Sequence, residues 1–297
     1  MSKLVLGMMV GAGFLCCPHE SKAQGGAPAA GGHVLAKPAT AASSLPPGVK
    51  RTIETVAEVK NASVTVDTTG KSAQGTMSSK DSDVMTMEGI SETRFRTVQE
   101  KVVQEGSIVF GDKVQPKPQE QPLLKGIPVI VEKKEDGRYS ATFERGGPTA
   151  EQTTMLGTLA TSFAAKDEFA LYGDAPRKPG DKWNVDAKLA GGFVGPGDWT
   201  GTCKIEFVEV KDVGGIPCAV LKAVFDVKGS LPPRAGMPPT NLTYQGEAIT
   251  QRSLADLLDL EVKVQARTTM VREQALTMRM RVSGNYTMLR KSSQAKP

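Results

Sequence analysis

Two stretches near the C-terminus decide the fold: EVKVQARTTM at Glu261–Met270 and ALTMRMRVSG at Ala275–Gly284. In both, apolar residues alternate with charged or polar ones. A period of two puts the apolar side chains on one face of a β-strand and the polar side chains on the other. The two stretches therefore predict antiparallel strands of a half-buried sheet, with one face dry and the other in water.

The apolar face of these strands has two interpretations. One is an ordinary packed core, since a half-buried strand needs this alternation simply to fold. The other is a cavity for an apolar ligand, because methionine is flexible and adapts to irregular apolar shapes. The candidate ligand-binding residues on the predicted inner face are Val262, Val264, Met270, Met278, Met280 and Met288. Both interpretations stay open at the level of the sequence.

The rest of the chain predicts a mainly β (α+β) fold. Short runs rich in β-branched residues recur along it, and Asp136-Gly137 supplies the residues of a two-residue type I′ hairpin turn. We predict a first β half at 49–146, a helix and connector at 147–175, a second β half at 176–291 and a tail at 292–297. Two halves of antiparallel strands are consistent with a curled sheet or half-barrel on which one helix packs.

That helix is predicted near 149–165. Thr149 is placed to cap it and Gln152 follows three residues later, which is the spacing of a capping box. Four apolar residues then fall on one helical face, which we expect to be buried on the sheet. They are Met155, Leu156, Leu159 and Phe163.

The N-terminus is typical of a secretory signal peptide. Lys3 supplies a positive charge, and the apolar run Leu4–Leu15 is too short to span a bilayer comfortably. Ser21 and Ala23 place small residues where signal peptidase reads them, so we predict a signal peptide at 1–23. We therefore expect an exported protein, periplasmic or extracellular.

A lipid anchor is the less favoured alternative. Cys16 or Cys17 would carry the lipid, but neither follows the small residues of a lipoprotein signal. The segment 24–48 is rich in alanine, glycine and proline, and it predicts a disordered tether. Beyond the signal, no stretch of the sequence is long and apolar enough for a transmembrane helix.

Histidine usage argues against several chemistries. The sequence has two histidines, His19 in the signal and His33 in the predicted tether. A folded part without histidine cannot run a Ser-His-Asp or Cys-His mechanism or bind a metal through histidine. The formal net charge of +5 is scattered and aromatic residues make up 5% of the chain, which argues against nucleic-acid binding. We predict a non-enzymatic protein with no catalytic residue, no metal site and no cofactor.

The cysteines that follow the signal are Cys203 and Cys218. An even count in an exported protein favours a disulfide. However, a hairpin with a three-residue loop at 212–214 would pair Cys203 with Ala223 and Cys218 with Val208. The cysteines would then lie about 16 Å apart on opposite faces, whereas a disulfide needs Cα atoms within about 7 Å. The disulfide is therefore the less favoured alternative.

Three pieces of sequence resemble a family of uncharacterised bacterial secreted β-rich proteins, a domain of unknown function with a G-D-x-W turn. They are PLLKGIPVIVEKKEDG at Pro122–Gly137, the helix from about Thr149, and PGDKW at Pro179–Trp183. The resemblance implies an exported two-part β architecture and supplies no catalytic residue. A looser similarity is to periplasmic lipoprotein carriers, in which a curled sheet wraps a hydrophobic cavity closed by a helix.

Two functions follow as alternatives. The first is an exported, non-enzymatic cell-envelope protein that binds an apolar ligand or lipid in a β-lined cavity. The second is a structural or protein-interaction module of the envelope with a fully packed core. The expected partner is accordingly an apolar ligand or an envelope protein.

Overall fold

We describe the protein from a computed structural model over residues 32–36, 45–116, 122–136, 138–164, 168–195, 197–231, 240–274 and 278–295. The predicted signal peptide at 1–23 and the alternative lipid sites at Cys16 and Cys17 lie outside the described residues.

The described strands form a single antiparallel sheet. They are β1 Lys50–Thr68, β2 Lys71–Gly89, β3 Arg94–Phe110, β4 Lys113–Pro116, β5 Val129–Lys133, β6 Tyr139–Phe143, β7 Lys182–Val185, β8 Thr200–Val213, β9 Ile216–Leu231, β10 Thr240–Ser253, β11 Asp259–Gln274 and β12 Met278–Ala295. Their order is β6-β5-β3-β2-β1-β12-β11-β10-β9-β8-β7, with β4 paired to β3. The first and last strands therefore pair at the centre and join the two predicted halves.

The predicted mainly β class is confirmed, and the described residues of the two stretches that open the sequence analysis lie in strands, as predicted. They form β11 and β12, in register from Glu261 opposite Lys291 to Gln274 opposite Met278. The curled sheet or half-barrel is wrong, because the sheet is open and uncurled. The tail predicted at 292–297 is also wrong for residues 292–295. These residues belong to β12, which continues to Ala295 opposite Lys50.

The inner face of the sheet carries two apolar clusters. The first apolar cluster spans β8 to β12 and parts of β1, β2 and β3, and includes Ala57, Phe225 and Val264. The second lies on β1, β2, β3 and β5, and includes Ile53 and Phe95. Alternation along the strands accounts for both clusters, because every second side chain points to the same face.

The predicted helix is confirmed as α1, Ala150–Ala164. Its capping box forms: Thr149 N donates to Gln152 Oε1 at 2.9 Å, and Gln152 N donates to Thr149 Oγ1 at 3.2 Å. Leu156 and Phe163 are buried in the second apolar cluster, with the Phe163 ring centroid 4.9 Å from that of Phe95. Burying a side chain of this size stabilises the fold by about 1.5–3 kcal/mol.

Two short helices lie outside the predictions. They are α2, Glu168–Tyr172, and α3, Gly191–Val194, the latter preceded by a 3₁₀ turn at Ala187–Ala190. Leu171, Phe193 and Val194 are buried in the first apolar cluster. These short elements therefore cover part of the inner face that the sequence alone left open.

The disordered tether predicted at 24–48 is wrong wherever the structure describes it. His33 and Arg177 exchange backbone hydrogen bonds of 2.6 and 2.8 Å, and the next residues, Leu35 and Ala36, are buried in the first apolar cluster. Leu45 is buried in the second. Apolar side chains within an otherwise Ala/Gly/Pro-rich segment gain enough from burial to anchor it. His33 also belongs to the folded protein, so the premise that the fold lacks histidine is wrong.

The hairpin around Asp136 is confirmed, but its connection is longer than two residues, since Lys133 pairs with Tyr139. The β8–β9 hairpin differs from the predicted one in both loop and register. Its turn is Gly214-Gly215, with φ of 63° and 86°, the backbone that a two-residue hairpin turn of the I′ type requires. A bulge at Val208 then shifts the ladder.

The revised register keeps the two cysteines apart. Cys203 pairs with Phe225 rather than Ala223, and Cys218 pairs with Lys211 rather than Val208. Both are buried as free thiols, so the structure contains no disulfide between them.

Candidate functional site: the inner face and its charged cluster

The predicted ligand-binding residues come together on the inner face. Five of the six belong to the first apolar cluster, with exposed fractions of 1% to 7%; they are Val262, Val264, Met270, Met280 and Met288. Met278, at the start of β12, is half-buried. Their common face is therefore as predicted, while their role in binding a ligand stays a prediction.

Strand β2 adds three methionines that the sequence analysis did not assign to this face. Met77, Met85 and Met87 are 1% to 4% exposed. Met85 pairs with Ile53 and Met87 with Arg51, both inner-face residues of β1. The alternation from Val84 to Glu88 indicates that one face of this strand is buried. It does not indicate that the strand lies beside β1.

An aromatic layer covers the first apolar cluster. Phe193 of α3 stacks on Phe225 at a centroid distance of 6.1 Å, and Trp199 meets Tyr244 edge-on at 5.7 Å. Trp199 Nε1 donates to the carbonyl of Gly195 at 2.9 Å. Gly229 makes room for this indole, since a Cβ there would lie 2.7 Å from Trp199 Cε3. The chain's own residues thus close much of the face that the sequence left open.

A group of charged and polar residues, most of them buried, lies between the two apolar clusters. We call it the inner charged cluster; it consists of Arg51, Arg252, Arg290, Asp259, Glu168 and Tyr172. Arg51 lies two residues before Ile53 of the second apolar cluster, and Arg290 lies two residues after Met288 of the first. Sequence reasoning missed this cluster, although an arginine at an apolar-face position such as Arg290 was a usable signal.

Arg252 is the centre of the inner charged cluster, and its side chain is fully buried. Its Nη1 donates to Asp259 Oδ1 at 2.6 Å, its Nη2 donates to Glu168 Oε2, and its Nε donates to the Leu35 carbonyl at 2.7 Å. The guanidinium also lies 4.6 Å from the centroid of the Tyr172 ring. A planar guanidinium suits this arrangement, because its donors form a rigid fork and its face stacks on an aromatic ring.

Burial sets the protonation of the cluster. It raises the pKa of Glu168 above the usual value for glutamate, although the charge of Arg252 opposes that change. Burial also raises the pKa of Tyr172 well above its usual value, and the charge of Asp259 adds to the effect. Burial lowers the pKa of Arg290. Tyr172 is therefore neutral at physiological pH and is not prepared to act as a base or nucleophile.

Two buried oxygens in this region have no hydrogen-bond partner among the described residues. They are Glu168 Oε1 and Ser292 Oγ. The Glu168 side chain is 18% exposed, and Ser292 is 7% exposed. A buried acceptor without a donor costs free energy, so such atoms indicate where a further group can bind.

The cysteines are unsuited to nucleophilic chemistry. Burial raises the pKa of Cys203 to about 11, and burial together with the charges of Asp256 and Asp212 does the same for Cys218. Both thiols are therefore protonated near neutral pH, and the thiolate is the reactive form. Within the described part of the chain, no three His, Cys, Asp or Glu side chains are grouped to hold a metal ion. No helix in that part is long and apolar enough to cross a membrane.

Comparisons with known proteins place the chain in no established family. No protein-family model matches it, and neither does any curated protein. Among solved structures, it is similar to lipovitellin, in a study of lipid–protein interactions, with a TM-score of 0.43 and 9% identity over 84% of this chain. The chain spans about a quarter of that protein, 26% of its length.

Two bacterial structures are also similar at low identity. One is an outer membrane channel from Pseudomonas putida F1, with a TM-score of 0.26 and 9% identity over 88% of this chain and 100% of that chain. The other is a DUF1329 family protein from Desulfovibrio piger, with a TM-score of 0.14 and 9% identity over 83% of this chain and 84% of that chain. At such identities and TM-scores, none of these similarities carries an argument about this chain's function.

Proposed function

We propose that this chain is an exported, non-enzymatic protein of the cell envelope that holds an apolar ligand of the lipid class against the inner face of its sheet. The observation that carries the proposal is the set of methionines buried on that face. They are Met77, Met85, Met87, Met270, Met280 and Met288. Methionine fills irregular gaps and repacks readily, so it suits a face that must accommodate a flexible acyl chain.

The cover over the first apolar cluster supports the same proposal. It includes α2 with five residues, α3 with four and the 3₁₀ turn with four. Helices this short are not stable alone and depend on their packing. Local opening of such elements costs less than global unfolding, so a ligand can displace them from the inner face while the strand ladders remain paired.

The chemistry of the buried polar groups favours binding over catalysis. Arg252 holds a carboxylate oxygen of both Asp259 and Glu168, and Tyr172 and the two thiols are protonated at neutral pH. A general base must be within reach of its substrate with a pKa near the working pH. Tyr172 and the two thiols, whose pKa values are raised by burial, do not meet the second condition.

Native mass spectrometry of the mature protein, purified from its own envelope without detergent, tests the proposal. We expect extra mass that organic extraction removes and that identifies as lipid. A double variant, Met280→Leu with Met288→Leu, should bind a narrower range of lipids, because leucine repacks less freely. Met155→Leu on α1 is the matched control, since Met155 packs against the second apolar cluster. A bare mass in every preparation would contradict lipid carriage.

A second function has its own supporting observation. Leu35, Ala36 and Trp199 close the inner face from within the chain, as expected of a protein-interaction module with a packed core. Its binding edge would be β8, which β7 pairs only from Cys203 to Glu206, and where Val208 and Val210 are 42% and 41% exposed. A bare native mass together with a crosslinked envelope partner at this edge would favour this function.

A further inference from the structure

The inner charged cluster gives the proposed ligand a polar end to bind. It lies where the two apolar clusters meet, because Arg51 and Ile53 are inner-face neighbours on β1 and Met288 and Arg290 are inner-face neighbours on β12. A ligand lying along the apolar face would therefore bring one end to this polar position. That arrangement suits an amphiphile better than a pure hydrocarbon.

Glu168 and Ser292 are brought to the same position by the fold. Ser292 pairs with Ile53 and follows Arg290 by two residues, so it lies about 7 Å from Arg290 along the inner face. The charge of Arg51 acts on Glu168, and the charge of Glu168 acts on Arg290. Ser292 is therefore flanked by two arginines that are both within electrostatic reach of Glu168.

The acceptors at this position require donors. Glu168 Oε1 and Ser292 Oγ are buried without a hydrogen-bond partner among the described residues. A ligand with hydroxyl groups can donate to both, and the serine hydroxyl can donate back. Satisfying both oxygens removes the free-energy cost of leaving them buried and unbonded.

The charge balance argues against an anionic ligand. The arginines of the cluster are Arg51, Arg252 and Arg290, and the carboxylates that act on them are Asp259 and Glu168. The half-buried Asp83 of β2 adds a further carboxylate on the inner face opposite Thr55. The cations are therefore fully balanced, and a phosphate or carboxylate head group would bring uncompensated negative charge into a buried position.

We infer that the ligand is an amphiphile with an uncharged, hydroxyl-bearing head group, which donates hydrogen bonds to Glu168 Oε1 and Ser292 Oγ while its chain lies on the methionine-lined inner face. This inference rests on the proposed function and assigns the head-group class. It also assigns Ser292 a binding role that its place in the fold does not require.

The test compares 1-monopalmitoylglycerol with palmitate, which has the same chain and an anionic head, by titration of the delipidated mature protein at pH 7.5. We expect the monoglyceride to bind at least 10-fold more tightly. Ser292→Ala should weaken monoglyceride binding by about 5- to 10-fold, the loss of one hydrogen bond, and should leave palmitate binding unchanged. The thermal midpoint of the delipidated protein should not fall, because alanine removes a buried hydroxyl that has no partner among the described residues. Ser162→Ala is the matched control, because Ser162 is also 7% exposed but donates to the Leu159 carbonyl in α1; it should bind both ligands like the wild type.

The outcomes separate this inference from the proposed function. Equal or tighter binding of palmitate, or unchanged monoglyceride binding in Ser292→Ala, would overturn the head-group assignment and leave lipid carriage standing. If neither ligand binds and the native mass from the envelope is bare, the proposed function fails as well. If neither binds but native lipid is found, only the head-group assignment fails.

Discussion

At the scale of single residues, Arg252 connects the N-terminal segment, α2, β10 and β11 through one buried guanidinium. Replacing it by leucine would leave Asp259 and Glu168 buried without their cation. We expect Arg252→Leu to lower the free energy of unfolding by about 3–5 kcal/mol, measured by urea denaturation. The matched control is Arg138→Leu, which breaks an exposed ion pair with Asp136 and should change the free energy of unfolding far less, because water screens such a pair. Equal effects of the two variants would contradict the central role of Arg252.

The raised pKa of Glu168 leads to a prediction about how the stability of the protein depends on pH. Because the folded-state pKa of Glu168 is raised above the usual 4.5, the folded protein binds the proton more tightly than the unfolded chain does. The stability this group contributes is therefore present below pH 4.5 and is lost as the pH rises through the folded-state pKa. We expect stability to fall less with rising pH in Glu168→Gln than in the wild type, measured by urea denaturation from about pH 2.5 to pH 8.

A carboxylate with the opposite shift is the control for this prediction. The pKa of Glu58 is lowered, chiefly by its hydrogen bond with Lys60, so its stability contribution is present above pH 4.5 and is lost as the pH falls. Glu58→Gln should therefore change the pH profile in the opposite sense and by a smaller amount, since this pair is near the surface. Changes of the same sign in both variants would refute the assignment at Glu168.

At the scale of elements, α1 could be predicted because its start and its buried face are both local signals. We expect Thr149→Ala to lower the free energy of unfolding by about 1 kcal/mol through loss of the capping box. Thr154→Ala is the control, because Thr154 is exposed within α1 and its hydroxyl donates to the Ala150 carbonyl; alanine there should be neutral or stabilising. Denaturation that ranks the two variants the other way would show that the cap contributes nothing.

Other elements lacked a local signal. With five residues, α2 is too short to establish a helical period, and its place depends on the distant contact between Glu168 and Arg252. The bulge at Val208 left only a weak signal: Phe207 and Val208 are adjacent apolar residues, and the apolar positions change there from odd to even numbers. The turn at Gly214-Gly215 is different, because the double glycine favours a two-residue hairpin turn. The three-residue loop predicted at 212–214 did not take this signal into account.

At the scale of the whole molecule, the alternation of apolar and polar residues predicted the fold class. It did not predict which strands pair with each other in the sheet. β1 pairs with β12, more than 200 residues away along the chain, and alternation specifies which face is buried without specifying the neighbouring strand. The inner face of β11 and β12 was therefore predictable, whereas the methionines of β2 could not be placed beside it. The inner charged cluster depends on the same long-range pairing, since its arginines come from β1, β10 and β12.

Residues 32–36 are where the fold departs most from what composition predicts. Composition predicts a disordered tether, whereas the structure packs the segment against the sheet. Substitutions in this segment test the difference. Leu35 is fully buried in the first apolar cluster and its carbonyl accepts from Arg252, so truncating its side chain should leave a cavity under the sheet. We expect Leu35→Ala to lower the free energy of unfolding by about 2–5 kcal/mol, measured by urea denaturation of the mature protein. The neighbouring Val34 is 47% exposed, and Val34→Ala should change stability by less than about 0.5 kcal/mol. If both variants were as stable as the wild type, residues 32–36 would be a tether after all, and the inner face beneath them would be open to a ligand.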